Sequence, residues 1–211
     1  MIRTSSAARR LAGTAAGLSL AALLTACGST PAHQGAAVVV GDERITVAAV
    51  EAKVTAVRDA AAAQPGGSRA ERAGLARRTV AELVLDRVIA RALADRGVSV
   101  ADTEIVQARE ADAKLLGGPD ALERELLGKQ GVPATGIEDF YRQQLGLQKL
   151  AAADGQDARS AAGDAAIRKA LVTAGTALRI EVNPRYGHWD PAQIGLTDAP
   201  EDWLPQNSTL Y

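Results

Sequence analysis

Residues 68–97 read SRAERAGLARRTVAELVLDRVIARALADRG, and the fold turns on this stretch. Ser68 stands where a helix N-cap is wanted, and Glu71 three residues later completes a Ser-x-x-Glu capping box. Gly97 supplies the residue best suited to a left-handed C-terminal cap. Between them Leu75, Thr79, Val80, Leu83, Val84, Val88, Ile89, Ala92 and Leu93 recur at spacings of three and four, and Leu85 widens the stripe. The spacing predicts one long helix over residues 68–96, packed by neighbours on more than one side.

Upstream, residues 36–40 form a small apolar run with three consecutive valines, the composition of a buried strand. Gly41 and Asp42 make a turn, and Ile45 and Thr46 lead into a helix with Thr46 as N-cap. Val47, Val50, Val54 and Val57 share one face of that helix, and Glu51, Lys53 and Arg58 the other. Valine is an indifferent helix former, so packing has to hold this helix. It stops before Gln64-Pro65-Gly66-Gly67.

Downstream, helices are predicted over 102–116, 120–129, 135–153 and 164–174, with breaks at Gly117-Gly118-Pro119 and Gly131-Val132-Pro133. Asp102 and Glu104 suit the first turn of one, and Thr135 is the expected cap of another. Residues 154–163 are polar and read as irregular. Residues 178–182 alternate Leu-Arg-Ile-Glu-Val, the period of a half-exposed strand, and Asn183-Pro184 ends it. The expected architecture is mainly α. About six helices surround one long central helix, and a small two-stranded sheet pairs the N-terminal and C-terminal strands. A lone short strand leaves its backbone unpaired, which is why 36–40 and 178–182 are expected to meet.

The first 27 residues carry the targeting information. Arg3, Arg9 and Arg10 precede an apolar run over 11–24, and Leu24-Thr25-Ala26-Cys27 follows. That run is too short to span roughly 30 Å of hydrocarbon, and the layout is that of a secretory signal. It resembles the bacterial lipoprotein signal with its lipobox, and the resemblance implies that Cys27 is lipidated and becomes the new N-terminus. The twin-arginine pattern fits poorly, because Leu11 and Ala12 follow the arginine pair. The expected location is the extracytoplasmic face of the cell membrane, held by lipid on Cys27. Residues 28–35 are a tether that reaches about 28 Å when fully stretched.

Cys27 is the only cysteine, so the remaining chain has no internal disulfide. Of 24 basic residues three lie in the signal, which leaves 21 against 25 acids and a net charge of −4. That balance gives no electrostatic reason for nucleic-acid binding. The 184 residues after Cys27 suffice for one domain with a substantial core. The division expected is a signal over 1–27, a tether over 28–35, a helical domain over 36–190 and an irregular tail over 191–211.

The segment Val39-Val40-Gly41-Asp42-Glu43-Arg44-Ile45-Thr46, the helix ending Asp95-Arg96-Gly97-Val98 and the acidic helix start after Val100 occur in a familiar order. Together they resemble the N-terminal chaperone domain of SurA- and PrsA-type foldases, with Gly41-Asp42 in place of that family's Asn-Gly turn. The ending Val182-Asn183-Pro184-Arg185-Tyr186-Gly187-His188-Trp189-Asp190 is similar to that of small actinobacterial lipoproteins of this type. The resemblance spans about 36–190 and implies a domain that binds unfolded or newly exported polypeptide. Those foldases also carry a prolyl isomerase module of roughly 90 residues, and only residues 154–163 lie between the last two predicted helices. The chain's two histidines, His33 and His188, do not match that module's active-site pair. The resemblance therefore implies a non-enzymatic protein without a cofactor.

Four of the six aromatic residues, Tyr186, Trp189, Trp203 and Tyr211, lie beyond position 182. Tyr, Trp and Arg anchor many interfaces, which makes Arg185, Tyr186 and Trp189 candidate partner contacts. The competing reading is a latch folded back on the helices, with Pro184 and Gly187 shaping a turn. On balance Trp189 is expected to be mainly structural, with Arg185 and Tyr186 exposed. His188 and Asp190 lack a third ligand, so no metal site is expected. Glu71, Glu82 and Asp86 interleave with Arg72, Arg78, Arg87 and Arg91 and read as a solvated face with helical ion pairs. Two function classes lead, a chaperone-like binder of polypeptide and an adaptor that docks one envelope partner through the C-terminal aromatics, and an enzyme comes third, without a site to support it. A two-lobed solute-binding protein is disfavoured by the lack of alternating βα units.

Overall fold

The structure is a computed structural model that describes residues 35–65 and 74–198. Cys27, the tether through residue 34, the Ser68–Glu71 capping box, Trp203 and Tyr211 lie outside the described residues. Five short strands and six α-helices follow one another in chain order. Strand β1 (Ala36–Val40) turns at Gly41-Asp42 into β2 (Glu43–Thr46), with Gly41 at φ 58°, a left-handed conformation that glycine adopts without strain. Strand β3 (Ile180–Val182) lies on the other side of β1, so the order is β2-β1-β3.

The expected pairing of 36–40 with 178–182 is present over Ile180–Val182 and is antiparallel, with Val38 opposite Val182 and Val40 opposite Ile180. Asn183 extends it by donating from its backbone N–H to the Ala37 carbonyl at 2.9 Å and from Nδ2 to that of Ala36 at 3.2 Å. The sheet has three strands where two were expected. Residues 43–46 continue the hairpin before the helix begins, because a two-residue turn puts Glu43 directly opposite Val40.

Helix α1 (Val47–Ala62) starts where expected, with the Thr46 hydroxyl accepting from the Ala49 amide at 3.1 Å. The long helix α2 (Leu75–Ala94) starts later than expected. Gly74 is its N-cap at φ 77°, which no α-helix tolerates in its interior, so no single helix runs through from residue 68. Its end matches the reading. Gly97 is left-handed at φ 64°, the Val98 amide donates to the Leu93 carbonyl and the Gly97 amide to that of Ala94, which is the Schellman arrangement.

Helix α3 (Asp102–Leu116) has the expected bounds, and Glu104 accepts from the Ala101 amide at 2.8 Å. Helix α4 (Pro119–Glu125) passes into a wider turn over Leu126–Gln130. Helix α5 (Ile137–Ala153) has Gly136 as its N-cap, one residue later than the expected Thr135, because Ala134–Gly136 form a 3-10 turn with Thr135 inside it. Helix α6 (Ala161–Ala177) reaches further than expected at both ends. Ser160 caps it by accepting from the Gly163 amide at 2.9 Å.

The main core gathers on α2. Val80, Val84 and Val88 are fully enclosed, together with Val38 from β1 and Leu150 from α5. Helices α5 and α6 and the sheet all contribute to it. Gly146 lets α5 approach closely, since a Cβ there would lie 2.9 Å from the Ile89 side chain. A smaller cluster of Ile105, Ala113, Leu122, Leu126, Ile137 and Tyr141 fills the corner between α3, α4 and α5. Strands β4 (His188–Asp190) and β5 (Gly195–Thr197) pair antiparallel, so the folded part continues past residue 190. Among the described residues no helix is long and apolar enough to cross a membrane.

Candidate functional site

The aromatic ending forms a latch. Asn183 Oδ1 accepts from the Arg185 amide at 3.2 Å and starts a 3-10 turn over Pro184–Tyr186. That turn directs Tyr186 inward, where it is buried in the main core. The expectation that Tyr186 stands exposed is therefore wrong. Arg185 does stay exposed, with its guanidinium 5.0 Å from the centre of the Tyr186 ring. Trp189 is buried as expected, and its indole edge packs beside Gly175 on α6. Its Nε1–H has no hydrogen-bond partner. Gly187 has φ 112°, and a Cβ there would collide with the Thr197 carbonyl oxygen, so glycine is required. His188 is exposed, and Asp190 accepts from the Ala192 amide at 2.8 Å, which places Asp190 in a turn. Among the described residues no group of three or more His, Cys, Asp or Glu could hold a metal ion.

A larger feature lies on another side of α2. A cleft of about 750 Å³ opens there, with Leu83, Ile89, Ala90 and Leu93 as its floor. One wall is β2 with Ala49 and Lys53 of α1. The other is α5, through Asp139, Arg142 and Gln143, together with the non-helical residues 98–100. Val98 and Val100 add apolar surface to that side. A second cavity of about 240 Å³ adjoins it and includes Val57, Thr79, Val132 and Phe140. Lys53, Leu83, Asp86, Asp139 and Gln143 border both spaces.

Ion pairs surround the opening. Lys53 Nζ meets Asp139 Oδ2 at 3.0 Å and ties α1 to α5. Arg87 donates to Glu43 Oε1 from Nη2 at 2.5 Å and from Nε at 3.1 Å. This bond holds the Glu43 carboxyl below the usual carboxylate range. Arg142 donates to Asp102 at 3.1 Å and to Glu138 at 2.7 Å. Each of these cations has an acidic partner in place. The cleft therefore combines apolar area with charges that are already paired.

Asp86 is the exception. It is half-buried beneath the Lys53–Asp139 bridge, and its Oδ1 accepts from Gln143 Nε2 at 3.0 Å. Desolvation by burial, with repulsion from Asp139 added, pushes its carboxyl up to about 6. A solvated face was expected here, and for Arg78–Glu82 that reading holds, at 2.8 Å. For Asp86 and Arg87 it does not, because α1, β2 and α5 close over this part of α2. The signal was present in the sequence. Thr79, Leu83, Asp86, Ala90 and Leu93 follow one another at spacings of four, three, four and three, which sets a carboxylate inside an otherwise apolar line.

Two hydroxyls of the lining serve the fold. Thr46 caps α1, and the Thr79 hydroxyl donates to the Leu75 carbonyl at 3.0 Å. No histidine or cysteine is present among the described residues of the lining. A third feature is on α3, where Leu115 is 84% exposed and Leu116 and Val106 are partly so. No protein-family model, no curated protein and no solved structure matches this chain.

Proposed function

We propose that this protein is a membrane-anchored lipoprotein with a non-enzymatic, chaperone-like domain that holds unfolded or newly exported polypeptide in the cleft over α2. The observation that carries the reading is the cleft itself, with its apolar floor of Leu83, Ile89, Ala90 and Leu93 and its rim of already paired charges. Such a surface gains from burying apolar side chains of many sequences. The resemblance to the SurA- and PrsA-type chaperone domain agrees with it. Lipid on Cys27 and the short tether would keep the cleft near the membrane where exported chains emerge. The adaptor reading draws no support from the C-terminal segment, whose Tyr186 and Trp189 are buried.

The test uses the processed chain and several unrelated unfolded clients. Ala90 is exposed on the cleft floor, so Ala90→Trp fills the cleft without disturbing the core. The parent chain should suppress client aggregation, and Ala90→Trp should lose that effect at an unchanged melting temperature. Equal suppression by both chains, or none by either, would overturn the reading. The anchor is tested separately by Cys27→Ser, which should abolish membrane retention or leave the chain unprocessed.

A further inference from the structure

We propose that the cleft takes a polypeptide segment carrying one lysine among apolar residues, and that the lysine ammonium pairs with the carboxylate of Asp86. The inference rests on the reading that the cleft takes polypeptide, and it names the side chain that the cleft selects.

Asp86 borders both the large cleft and the adjoining cavity, so its carboxylate lies where the two spaces meet. Leu83 and Ala90, one turn before and one turn after it on α2, are apolar. A carboxylate half withdrawn from water among apolar groups costs free energy unless a cation pairs with it. The fold supplies only a neutral partner, Gln143, whose Nε2 donates to Asp86 Oδ1 at 3.0 Å. Among the described residues nothing donates to Oδ2, and that oxygen is not sealed from solvent.

The neighbouring cations are already engaged. Four carboxylates border the two spaces: Glu43, Glu82, Asp86 and Asp139. Glu43 is paired with Arg87, Glu82 with Arg78 and Asp139 with Lys53. Asp86 is the fourth. Lys53 and Arg87 attract it from beyond bonding distance, while burial and the Asp139 charge push its carboxyl up to about 6. A cation brought by the ligand would complete the fourth pair at the junction of the two spaces.

The open oxygen also selects among cations. A single free acceptor suits a donor that bonds at one point, which the lysine ammonium does. The planar fork of arginine gains most when both carboxylate oxygens are free. The apolar stem of lysine can lie along Leu83 and Ala90 on its way to Asp86. Residues flanking that lysine then meet Ile89 and Leu93 on the floor and Val98 and Val100 on the far side. The protein's own residues 199–211 do not supply this chemistry, since they include Glu201 and Asp202 and no lysine or arginine. The ligand class is thus a segment of another polypeptide with one lysine between apolar side chains.

The experiment uses the processed full-length chain at pH 8, where Asp86 is ionised. The probe is an eight-residue peptide of leucine, valine and serine with one central lysine, fluorescein-labelled at its N-terminus and amidated at its C-terminus. A second peptide has norleucine in place of the lysine, which keeps the stem and removes the charge. Fluorescence polarisation should show the lysine peptide binding about tenfold more tightly than the norleucine peptide. In Asp86→Asn, checked by its melting temperature to be folded, that ratio should fall to within about twofold. A general pull of the acidic chain on any cation would survive the substitution, so an undiminished ratio in Asp86→Asn would overturn the inference. Equal binding of both peptides to the parent chain would overturn it without recourse to the variant, and would leave the polypeptide cleft intact. If neither peptide binds the parent chain, the polypeptide cleft fails and the lysine preference fails with it.

Discussion

The two hydrophobic clusters of this domain are built differently. The one on α2 draws from the sheet, four helices and the C-terminal latch, and five of its largest side chains have essentially no exposure. The one between α3, α4 and α5 has six buried residues and borders a helix whose Leu115 is 84% exposed. The first is a closed core made by distant parts of the chain, and the second is a local corner of consecutive elements. Helix α5 takes part in both, with Leu150 in the core and Ile137 and Tyr141 in the corner. The cleft lies along the seam. Its floor belongs to the core, and its wall at Asp139 and Arg142 belongs to the part of α5 that supports the corner. The smaller corner is therefore expected to open more readily than the closed core.

The comparison can be broken by mutation. Leu150→Ala should cost about 4 kcal/mol, because a fully enclosed site leaves a cavity that cannot collapse. Ile137→Ala should cost about 2 kcal/mol, as the corner relaxes around the loss. Equal costs by chemical denaturation would remove the distinction. Native-state hydrogen exchange should agree, with amides of α3 and α4 opening before those of α2.

The latch belongs to the core, so Trp189→Ala should cost about 3 kcal/mol. Trp189→Phe should cost under about 1 kcal/mol, since the indole N–H that it removes has no partner. An unchanged melting temperature in Trp189→Ala would detach the latch from the core.

Asp86 marks the seam and gives it a pH signature. Its folded pKa is raised, to about 6 from 3.8, so the folded state binds the proton more tightly than the unfolded chain does. Stability from this group is therefore fullest below pH 4 and falls as pH climbs toward 6, after which the penalty is constant. Asp86→Asn keeps an acceptor for Gln143 and should gain about 1–2 kcal/mol at pH 7 while flattening that slope. Urea titrations at pH 4 and pH 7 check it, and a gain independent of pH would contradict the assignment. The smallest effect is expected at Leu115, where replacement by Ala removes almost no buried surface and should change stability by less than about 0.5 kcal/mol.

Much of the fold was legible because it is periodic or punctuated. The stripe on α2, the Thr46 cap, the Gly97 stop and the pairing of 36–40 with β3 all rest on local chemistry that tertiary contacts reinforce. The later start of α2 was not legible, because Gly74 could be read either as one weak helical residue or as a left-handed cap. Strand β2 was hidden by its shortness and by Thr46, whose capping role draws the eye to the helix. At the C-terminus Trp189 was read correctly and Tyr186 was not, since one turn of 3-10 helix decides which of two adjacent residues faces inward. The cleft was the least legible feature. Its residues come from β2, α1, α2, residues 98–100 and α5, and only Asp86, a carboxylate within an apolar line, hints at it.

The central claim is that polypeptide binds over α2, in the cleft between β2 and α5. Hydrogen exchange of the processed chain, with and without a bound unfolded client, tests it most directly. The account predicts new protection at residues 43–46, 98–100 and the 83–93 segment of α2, with residues 184–190 unchanged. Protection confined to residues 184–190, or to the exposed end of α3 at Leu115 and Leu116, would contradict it.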